Sequence, residues 1–359
     1  MKEKCSKGFR EYFVRTLLPA MAMVSAVVIS AVPFSCRTSV EGTEFLEGDF
    51  SSPKITDVRV VDSNRLSVGF SKNVSVSSAS VRSGDGSDCG AVGFELGVDN
   101  PGVDFIMEEK MVIGKSYVLD AVIEDRNGNT VTISIDFLGY NDRVPVLALS
   151  EIRIKNKSKS DKSEFVELYA LSSGNLSGVE IVSASDGEGK RYCFPAIEVS
   201  KGEYITVHMR NGDKGCIDEL DGNLSAASTS DSSPGARDLF ADNQSEGRFG
   251  TSSDIIFVRN HASGKIMDAF AYTDPEKPGS WDSIEQHAAV VKDSGAWRNG
   301  EGENSCDAGS AFATSSLNRE SHSACRRNVE KISSENLFSA KDQWYEVSAT
   351  KEQSPGKKN

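Results

Sequence analysis

The sequence is poor in the residues on which most catalytic and nucleic-acid-binding sites depend. It has four histidines and three tryptophans, and acidic residues outnumber basic ones by 53 to 40. The low histidine count excludes a histidine-rich metal site, and the net charge of −13 argues against a protein that neutralises phosphates. The motifs G-x-S-x-G, H-E-x-x-H, P-loop and G-x-G-x-x-G before a helix are missing. No motif therefore indicates an enzyme, a metal or a cofactor, and we expect none of the three.

The composition indicates a turn-rich β protein. Glycine is abundant, with 31 residues, whereas proline is modest at 10, which excludes a collagen-like chain. A hydrophobic fraction of 38% is too high for a wholly disordered protein. The 359 residues suggest about two domains.

The N-terminus has the features of an export signal. Five basic residues precede an uncharged apolar run over 17–34, and Cys36 follows Ser35. This order resembles a bacterial lipoprotein signal, and the loose sequence before the cysteine is typical of spirochaetes. The resemblance implies that 1–36 is the signal, that Cys36 is lipidated and that the membrane is a partner. An ordinary cleaved signal and an uncleaved anchor are the alternatives. Since 1–36 carries five basic and two acidic side chains, the remaining chain has a net charge of −16.

Two regions follow the signal, beginning with a polar tether over 37–52. In the next region, 53–142, apolar residues alternate with polar ones, most regularly over 131–137. The Asn127-Gly128 pair predicts a tight hairpin turn. The order of these strands and turns resembles a bacterial Ig-like domain, which implies a β-sandwich.

The second region, 143–359, carries a further β pattern. Its most specific segments are Glu151-Ile-Arg-Ile154, Glu164-Phe-Val-Glu-Leu168, Gly202-Glu-Tyr-Ile205, 254–272, and Pro355-Gly356 with Asn359. Together they resemble a lamin tail domain, an Ig-like sandwich common in exported bacterial proteins. The family usually has asparagine where Ala170 stands and an aromatic residue where Val179 stands. The predicted fold class is all-β, with two Ig-like sandwiches in tandem.

Two insertions make the second region long. We interpret 209–250 and 274–312 as mobile loops at one end of the sandwich, because they are rich in Ser, Gly, Asp and Asn. The first contains the candidate binding residues Asp213, Asp218, Glu219 and Asp221. Such carboxylates suit calcium, but their spacing is not that of an EF-hand, and a solvated acidic loop is the simpler interpretation.

The cysteines permit two disulfides. After Cys36 the sequence contains Cys89, Cys193, Cys216, Cys306 and Cys325, with no C-x-x-C spacing. In an exported protein we expect the pairs Cys193–Cys216 and Cys306–Cys325. Five free thiols are the alternative.

A basic stretch over 153–162 is the main candidate for contact with nucleic acid or anionic lipid. One basic loop in so acidic a chain is more simply a solvated hairpin tip, and we expect no nucleic-acid partner. The four histidines are far apart in sequence, and none neighbours a cysteine or another histidine.

These observations predict a non-enzymatic, membrane-tethered lipoprotein of the cell envelope. Its lamin tail domain would present loops or a sheet edge to a protein or glycan partner. A structural envelope scaffold or spacer is the alternative, and a cryptic hydrolase or a nucleic-acid-binding protein has less support. The predicted core residues are Phe70 and Ile133 in the first sandwich, and Phe165 and Trp344 in the second.

Overall fold

Short strands joined by turns form both regions of the protein. The computed structural model describes residues 49–97, 101–155, 163–185, 191–211, 214–242 and 248–359. The predicted signal, Cys36 and nearly all of the predicted tether lie outside the described residues. Within the described ranges, no helix is both long and apolar enough to cross a membrane.

The first sandwich contains seven strands in two antiparallel sheets. The strands are β1 (Ile55–Asp62), β2 (Arg65–Phe70), β3 (Val74–Ser83), β4 (Val92–Leu96), β5 (Gly102–Met107), β6 (Ser116–Asp125) and β7 (Thr130–Leu138). One sheet has the order β1-β2-β5-β4 and the other β3-β6-β7. Each sheet therefore has two edge strands.

The core of the first sandwich follows the alternation in the sequence. Phe70 and Ile133 are 2% and 5% exposed, which confirms both as core residues. The β6–β7 hairpin turns at Gly128, which has a φ of 79°. Asp125 fixes this turn, because its carboxylate accepts hydrogen bonds from the backbone N–H groups of Asn127 and Asn129.

The second sandwich contains the remaining strands. They are β8 (Leu147–Arg153), β9 (Phe165–Ala170), β10 (Gly174–Asn175), β11 (Val179–Ser183), β12 (Tyr192–Cys193), β13 (Glu198–Val199), β14 (Tyr204–His208), β15 (Arg237–Phe240), β16 (Ser253–Asn260), β17 (Ile266–Thr273), β18 (Trp297–Arg298), β19 (Phe312–Ala313), β20 (Ser323–Arg326), β21 (Ser339–Ala340) and β22 (Trp344–Val347). The main sheets have the orders β15-β14-β9-β8-β20-β22 and β12-β11-β16-β17-β19. The fold is therefore all-β, as predicted.

The core of the second sandwich lies between these two sheets. Trp344 is 3% exposed and packs on Phe270, with ring centroids 4.4 Å apart. Phe165 is fully buried, so both predicted core residues are confirmed. Trp281 and Trp297 are also buried. All three tryptophans of the chain are thus inside the second sandwich.

The described parts of both insertions contain regular elements, which corrects the prediction that they are loops. In the first, β15 pairs in parallel with β14 and extends the six-stranded sheet. In the second, a ten-residue helix, α1 (Glu285–Ser294), buries Ala288 and Val291. Trp297 follows the helix and is fully buried. Polar composition concealed these elements because a few large apolar residues suffice to anchor them.

Candidate functional site

A groove lies where the two sandwiches meet, within the compact unit Ser51–Asn359. Its volume is about 600 Å³, and its walls come from four segments of the chain. Residues 58–61 of β1 and 136–141 at the end of β7 line it from the first sandwich, while 177–178 and 260–263 line it from the second. A strand edge from each sheet of the first sandwich therefore borders the same space.

Strand β1 is unusually exposed for a strand of a sandwich. In the neighbouring β2, every second side chain is buried. In β1, three apolar side chains are more than a third exposed: Ile55 (42%), Val58 (38%) and Val61 (46%). Across the groove, Leu138 at the end of β7 is 50% exposed. Val58, Val61 and Leu138 give the groove an apolar lining, with the free edge of β1 beside it.

Polar contacts fix the junction beside the groove. The Asn141 side-chain amide donates hydrogen bonds to the backbone carbonyls of Asn175 (2.7 Å) and Ser177 (2.8 Å). Arg143 binds both carboxylate oxygens of Glu198, at 2.9 and 2.7 Å. These contacts tie the linker between the sandwiches to the second sandwich, so the walls of the groove are held in place.

The titratable side chains at the groove come from β1 and from the segments that line the groove with it. Arg59 pairs with Asp57 on the same strand at 2.6 Å, and both side chains are more than half exposed. Asp136 and His261 also line the groove. Exposed pairs of this kind contribute little to stability, so Asp57 and Arg59 are available to a partner at small cost.

The predicted acidic binding residues that the structure describes contact the backbone of their own insertion. Asp213 lies outside the described residues. Asp218 accepts the backbone N–H of Phe240 at 2.7 Å, and Asp221 accepts that of Asn223. Among the described residues, no group of three or more His, Cys, Asp or Glu side chains is arranged to hold a metal ion.

The remaining predicted binding residue, Glu219, is buried within the first insertion and binds its backbone. Its side chain is 2% exposed and accepts backbone N–H groups from Ala226, Ala227 and Asp238. Asp238 belongs to β15, so Glu219 joins the insertion's loop to its strand. Asp218, Glu219 and Asp221 thus hold the backbone of the insertion in place.

The two predicted disulfides are absent from the structure. All five cysteines from Cys89 onward are free thiols, so the pairs Cys193–Cys216 and Cys306–Cys325 are corrected. Cys325 lies in β20 of the six-stranded sheet, with its Sγ 3.9 Å from Ser323 Oγ, whereas Cys306 belongs to the apolar core. Burial raises the pKa of Cys306 to about 12, which keeps this thiol protonated and unreactive.

Two histidines form buried pairs with carboxylates. His208 contacts Asp238 at 2.6 Å and stacks on Phe240, with ring centroids 4.6 Å apart. His208 and Asp238 are each 2% exposed. His322 pairs with Glu346, which also accepts hydrogen bonds from neighbouring hydroxyl groups. The His208–Asp238 pair is enclosed within the second sandwich, and the His322–Glu346 pair is partly buried.

A buried polar network covers the outer face of the six-stranded sheet. Glu151 accepts hydrogen bonds from the hydroxyl of Ser323 (2.6 Å) and the backbone N–H of Ser354 (2.9 Å). The backbone N–H of Gly356 donates to Glu167, which lies opposite Glu151 on the next strand. The C-terminal residues therefore lie across strands β8 and β9.

Burial controls the ionisation of this network. Burial raises the pKa of Glu151, although the hydrogen bonds from Ser323 and Ser354 act to lower it. Burial and then the neighbouring charge of Glu151 hold the pKa of Glu167 well above its usual value. Burial also raises the pKa of Glu164 to about 7. Each of these carboxyl groups therefore binds a proton more tightly in the folded protein than in the unfolded chain.

Sequence reasoning missed the groove. It placed the binding surface in the inserted loops, because polar composition usually marks exposed, variable segments. The available signal was in β1, where Ile55, Val58 and Val61 break the alternation that β2 follows. The basic stretch proposed for nucleic acid lies largely outside the described residues, at 156–162.

Comparison with known proteins identifies relatives of the second region. Residues 145–345 match the profile of the family TP_1001_2nd, described as a protein second domain. An uncharacterized protein of Treponema pallidum (strain Nichols) is 31% identical over 199 residues, which are 53% of this chain and 49% of that protein. The chain thus spans about half the length of this curated relative. Its organism is a spirochaete, the group to which the predicted lipoprotein signal pointed.

Two solved structures show weak similarity to the fold. The N-terminal part of the bacterial S-layer protein SbsC has a TM-score of 0.25 and 14% identity, covering 62% of this chain and 43% of that chain. A DUF4876 family protein from Bacteroides thetaiotaomicron has a TM-score of 0.23 and 13% identity, covering 57% of this chain and 76% of that chain.

Proposed function

The chain belongs to the TP_1001_2nd protein second-domain family, and we propose that it is a non-enzymatic, membrane-tethered lipoprotein of the cell envelope that acts as an interaction module. The N-terminal signal and Cys36 support the tether. The order of strands and turns over 53–142 resembles an Ig-like domain, and the segments from Glu151 to Asn359 resemble a lamin tail domain. The partner is a protein bound at the groove between the sandwiches. The membrane is contacted through the lipidated N-terminus.

One observation carries the binding proposal: an exposed strand edge borders a preformed apolar groove. Extended polypeptides commonly bind by adding a strand to such an edge, with side-chain pockets providing specificity. The walls are held by the contacts of Asn141 and Arg143, so little ordering is needed on binding. The exposed Val58 and Val61 supply apolar area to a partner.

This proposal moves the binding surface away from the inserted loops. Asp218, Glu219 and Asp221 bind backbone N–H groups of their own insertion, which supports a structural role for them. The buried carboxylates of the second sandwich support the same view, since they accept hydrogen bonds from the chain itself. The groove, by contrast, combines exposed apolar side chains with a strand edge that has no neighbouring strand among the described residues.

A structural spacer is the second candidate, and the fixed junction is the observation that favours it. Contacts such as Arg143–Glu198 would keep two sandwiches at a constant geometry above a membrane. A spacer needs no preferred contact at the groove, whereas an interaction module does. The two candidates therefore differ in where the protein touches its neighbours.

Site-specific photo-crosslinking in cells tests the proposal. A photoreactive amino acid is placed at Val61 in the groove or, as the matched control, at Val290 on α1, which is 57% exposed and away from the groove. We expect a discrete crosslinked product from Val61 and none from Val290. Similar products from both positions would favour the spacer, and no product from Val61 would overturn the interaction proposal.

Protease treatment of intact and gently lysed cells tests the location of the body. Cleavage in intact cells would place the sandwiches on the outer surface, and protection until lysis would place them in the periplasm. Either result is consistent with an envelope lipoprotein. Recovery of the protein in the cytosolic fraction, without membrane association, would contradict the proposal.

A further inference from the structure

The edge of β1 that borders the groove carries no neighbouring strand among the described residues. In its sheet, β1 pairs with β2 on one side only. Half of its backbone N–H and C=O groups therefore face away from β2, which makes the edge a template for another strand. Register shifts at Ile55/Asp57 and at Val60/Asp62 leave 57–60 as the regular part of the strand.

The sequence of β1 is complementary to itself when read in the opposite direction. In an antiparallel pair of β1 strands centred on Val58, each Val58 faces its own copy. Asp57 then faces Arg59, and Arg59 faces Asp57. Beyond them, Thr56 faces Val60. Cross-strand pairs of opposite charge stabilise a sheet, and this register forms two of them about one twofold axis.

Other symmetric registers lose this complementarity. A pairing centred on Asp57 places that carboxylate opposite its own copy, and one centred on Arg59 places two guanidinium groups together. Like charges directly opposite each other are destabilising. The charges on β1 therefore select one register, as a specific interface requires.

The other edge of the same sheet lacks the pattern. Strand β4 also exposes apolar side chains, Phe94 (46%) and Leu96 (48%). Between them lies Glu95, which would meet its own copy in the pairing centred on it. In a pairing centred on Phe94, Glu95 would face Gly93 and gain no opposite charge. Apolar exposure alone does not distinguish the two edges, but charge does.

We propose that two copies of this chain pair antiparallel through β1, centred on Val58, and join their four-stranded sheets into one continuous sheet of eight strands. The partner's β1 lies along the groove, beside Val58 and Val61, and the exposed Leu138 of β7 borders the space it enters. This inference rests on the groove proposed above as a binding surface and names its occupant, a second copy of the chain.

Charge exchange tests the pairing on the purified full chain in mild detergent. Sedimentation velocity should show a dimer for the natural protein. Asp57→Arg and Arg59→Asp should each weaken the dimer at least about tenfold, since each places like charges opposite one another. An equimolar mixture of the two variants should restore a dimer containing one copy of each, because every pair is then of opposite sign.

A cysteine crosslink tests the register. Residues directly opposite in an antiparallel pair have Cα atoms about 4.5–5.5 Å apart, a separation that a disulfide spans. Val58→Cys should therefore give an oxidised dimer on a non-reducing gel beyond that of the natural protein. Leu96→Cys, on the exposed β4 edge, is the matched control and should not.

The outcomes separate this inference from the proposed function. A natural protein that sediments as a monomer, or variants that both remain dimeric, would overturn the pairing through β1. If the Val61 photo-crosslink then joins the chain to a different protein, the proposed interaction function is retained. The groove then binds that protein and not a second copy of the chain. If both charge variants still form a dimer and Val58→Cys gives no crosslink, the dimer interface lies elsewhere.

Discussion

The two sandwiches differ in the kind of side chain they bury and in the parts of their sheets they leave exposed. In the first, Ser83 and Asp125 are the buried polar residues among those described, and the core is otherwise apolar. In the second, charged residues such as Glu151, Arg153 and Arg326 are buried within the strands. The first sandwich leaves strand edges exposed, whereas the second covers the outer face of its main sheet with its own chain.

This difference indicates which sandwich is available to a partner. The C-terminal residues and the first insertion occupy the outer face of β8 and β9, through Ser354, Gly356 and Asp231. Nothing described covers the free edge of β1. The family match spans 145–345, so β1 and β7 lie outside it. The groove is thus formed largely by the region that the family match does not include.

The largest expected difference between the sandwiches concerns buried ion pairs. Arg326 donates to Asp268, and both side chains are at most 1% exposed. Arg326→Met keeps much of the volume but leaves Asp268 without its cation, so we expect the free energy of unfolding to fall by about 3–5 kcal/mol. Urea denaturation followed by tryptophan emission measures this, because all three tryptophans lie in the second sandwich.

Lys72→Met is the matched control in the first sandwich. Lys72 pairs with Asp125 at 3.2 Å but is 21% exposed, and Asp125 keeps its hydrogen bonds from Asn127 and Asn129. We expect a cost of about 1 kcal/mol or less, measured by hydrogen exchange of the first-sandwich amides because that sandwich contains no tryptophan. Equal costs for the two variants would show that the sandwiches do not differ in their dependence on buried charge.

Alternation in the sequence predicted the main strands of the first sandwich and several long strands of the second, but neither the strands inside the insertions nor the buried charges of the second. Phe70 and Ile133 were found because β2 and β7 each bury one face. Strand β8 is buried along its whole length, so Glu151 and Arg153 occupy the face that the pattern assigns to solvent. The C-terminal residues and Asp231 of the first insertion, both far along the chain, exclude water from that face.

The groove could not be predicted either, because it also depends on contacts between segments far apart in the chain. It arises where 58–61, 136–141 and 260–263 meet, and no local pattern encodes that meeting. The disulfide guesses failed likewise, because proximity of cysteines in sequence says little about proximity in a sandwich. The Asn127-Gly128 turn succeeded because its signal is contained within a few residues.

Acid is expected to affect the two sandwiches in opposite directions. Burial raises the pKa of Glu164 in the second sandwich from 4.5 to about 7. The folded state therefore binds the proton more tightly than the unfolded state, and stability falls as the pH rises from about 4.5 through 7. The loss approaches about 3 kcal/mol if the whole shift is realised. Tryptophan-detected urea midpoints should be higher at pH 5 than at pH 8.

The corresponding carboxylate of the first sandwich behaves in the opposite sense. Hydrogen bonds led by that from Asn129 lower the pKa of Asp125 to about 2. Its contribution to stability is present above its usual pKa of 3.8 and disappears as the pH falls through about 2. Glu164→Gln is the control for the second sandwich and should flatten its pH dependence. A midpoint that rises from pH 5 to pH 8 in the natural protein would contradict the assignment.

The smallest expected effect concerns the hairpin turn of the first sandwich. Gly128 has a φ of 79°, and a Cβ there would meet only the end of the Glu124 side chain, at 3.9 Å. Gly128→Ala should therefore cost about 1 kcal/mol, from backbone conformation alone. Hydrogen exchange of the β6 and β7 amides measures this loss, and tryptophan emission should not change.

Gly300→Ala is the matched control in the second sandwich. Gly300 has no positive φ, and a Cβ there would meet nothing within 4 Å, so we expect a change near zero. If Gly128→Ala also shifted the tryptophan transition, the two sandwiches would unfold as one unit. The two sandwiches would then differ in their exposed surfaces and buried charges but would share one unfolding transition.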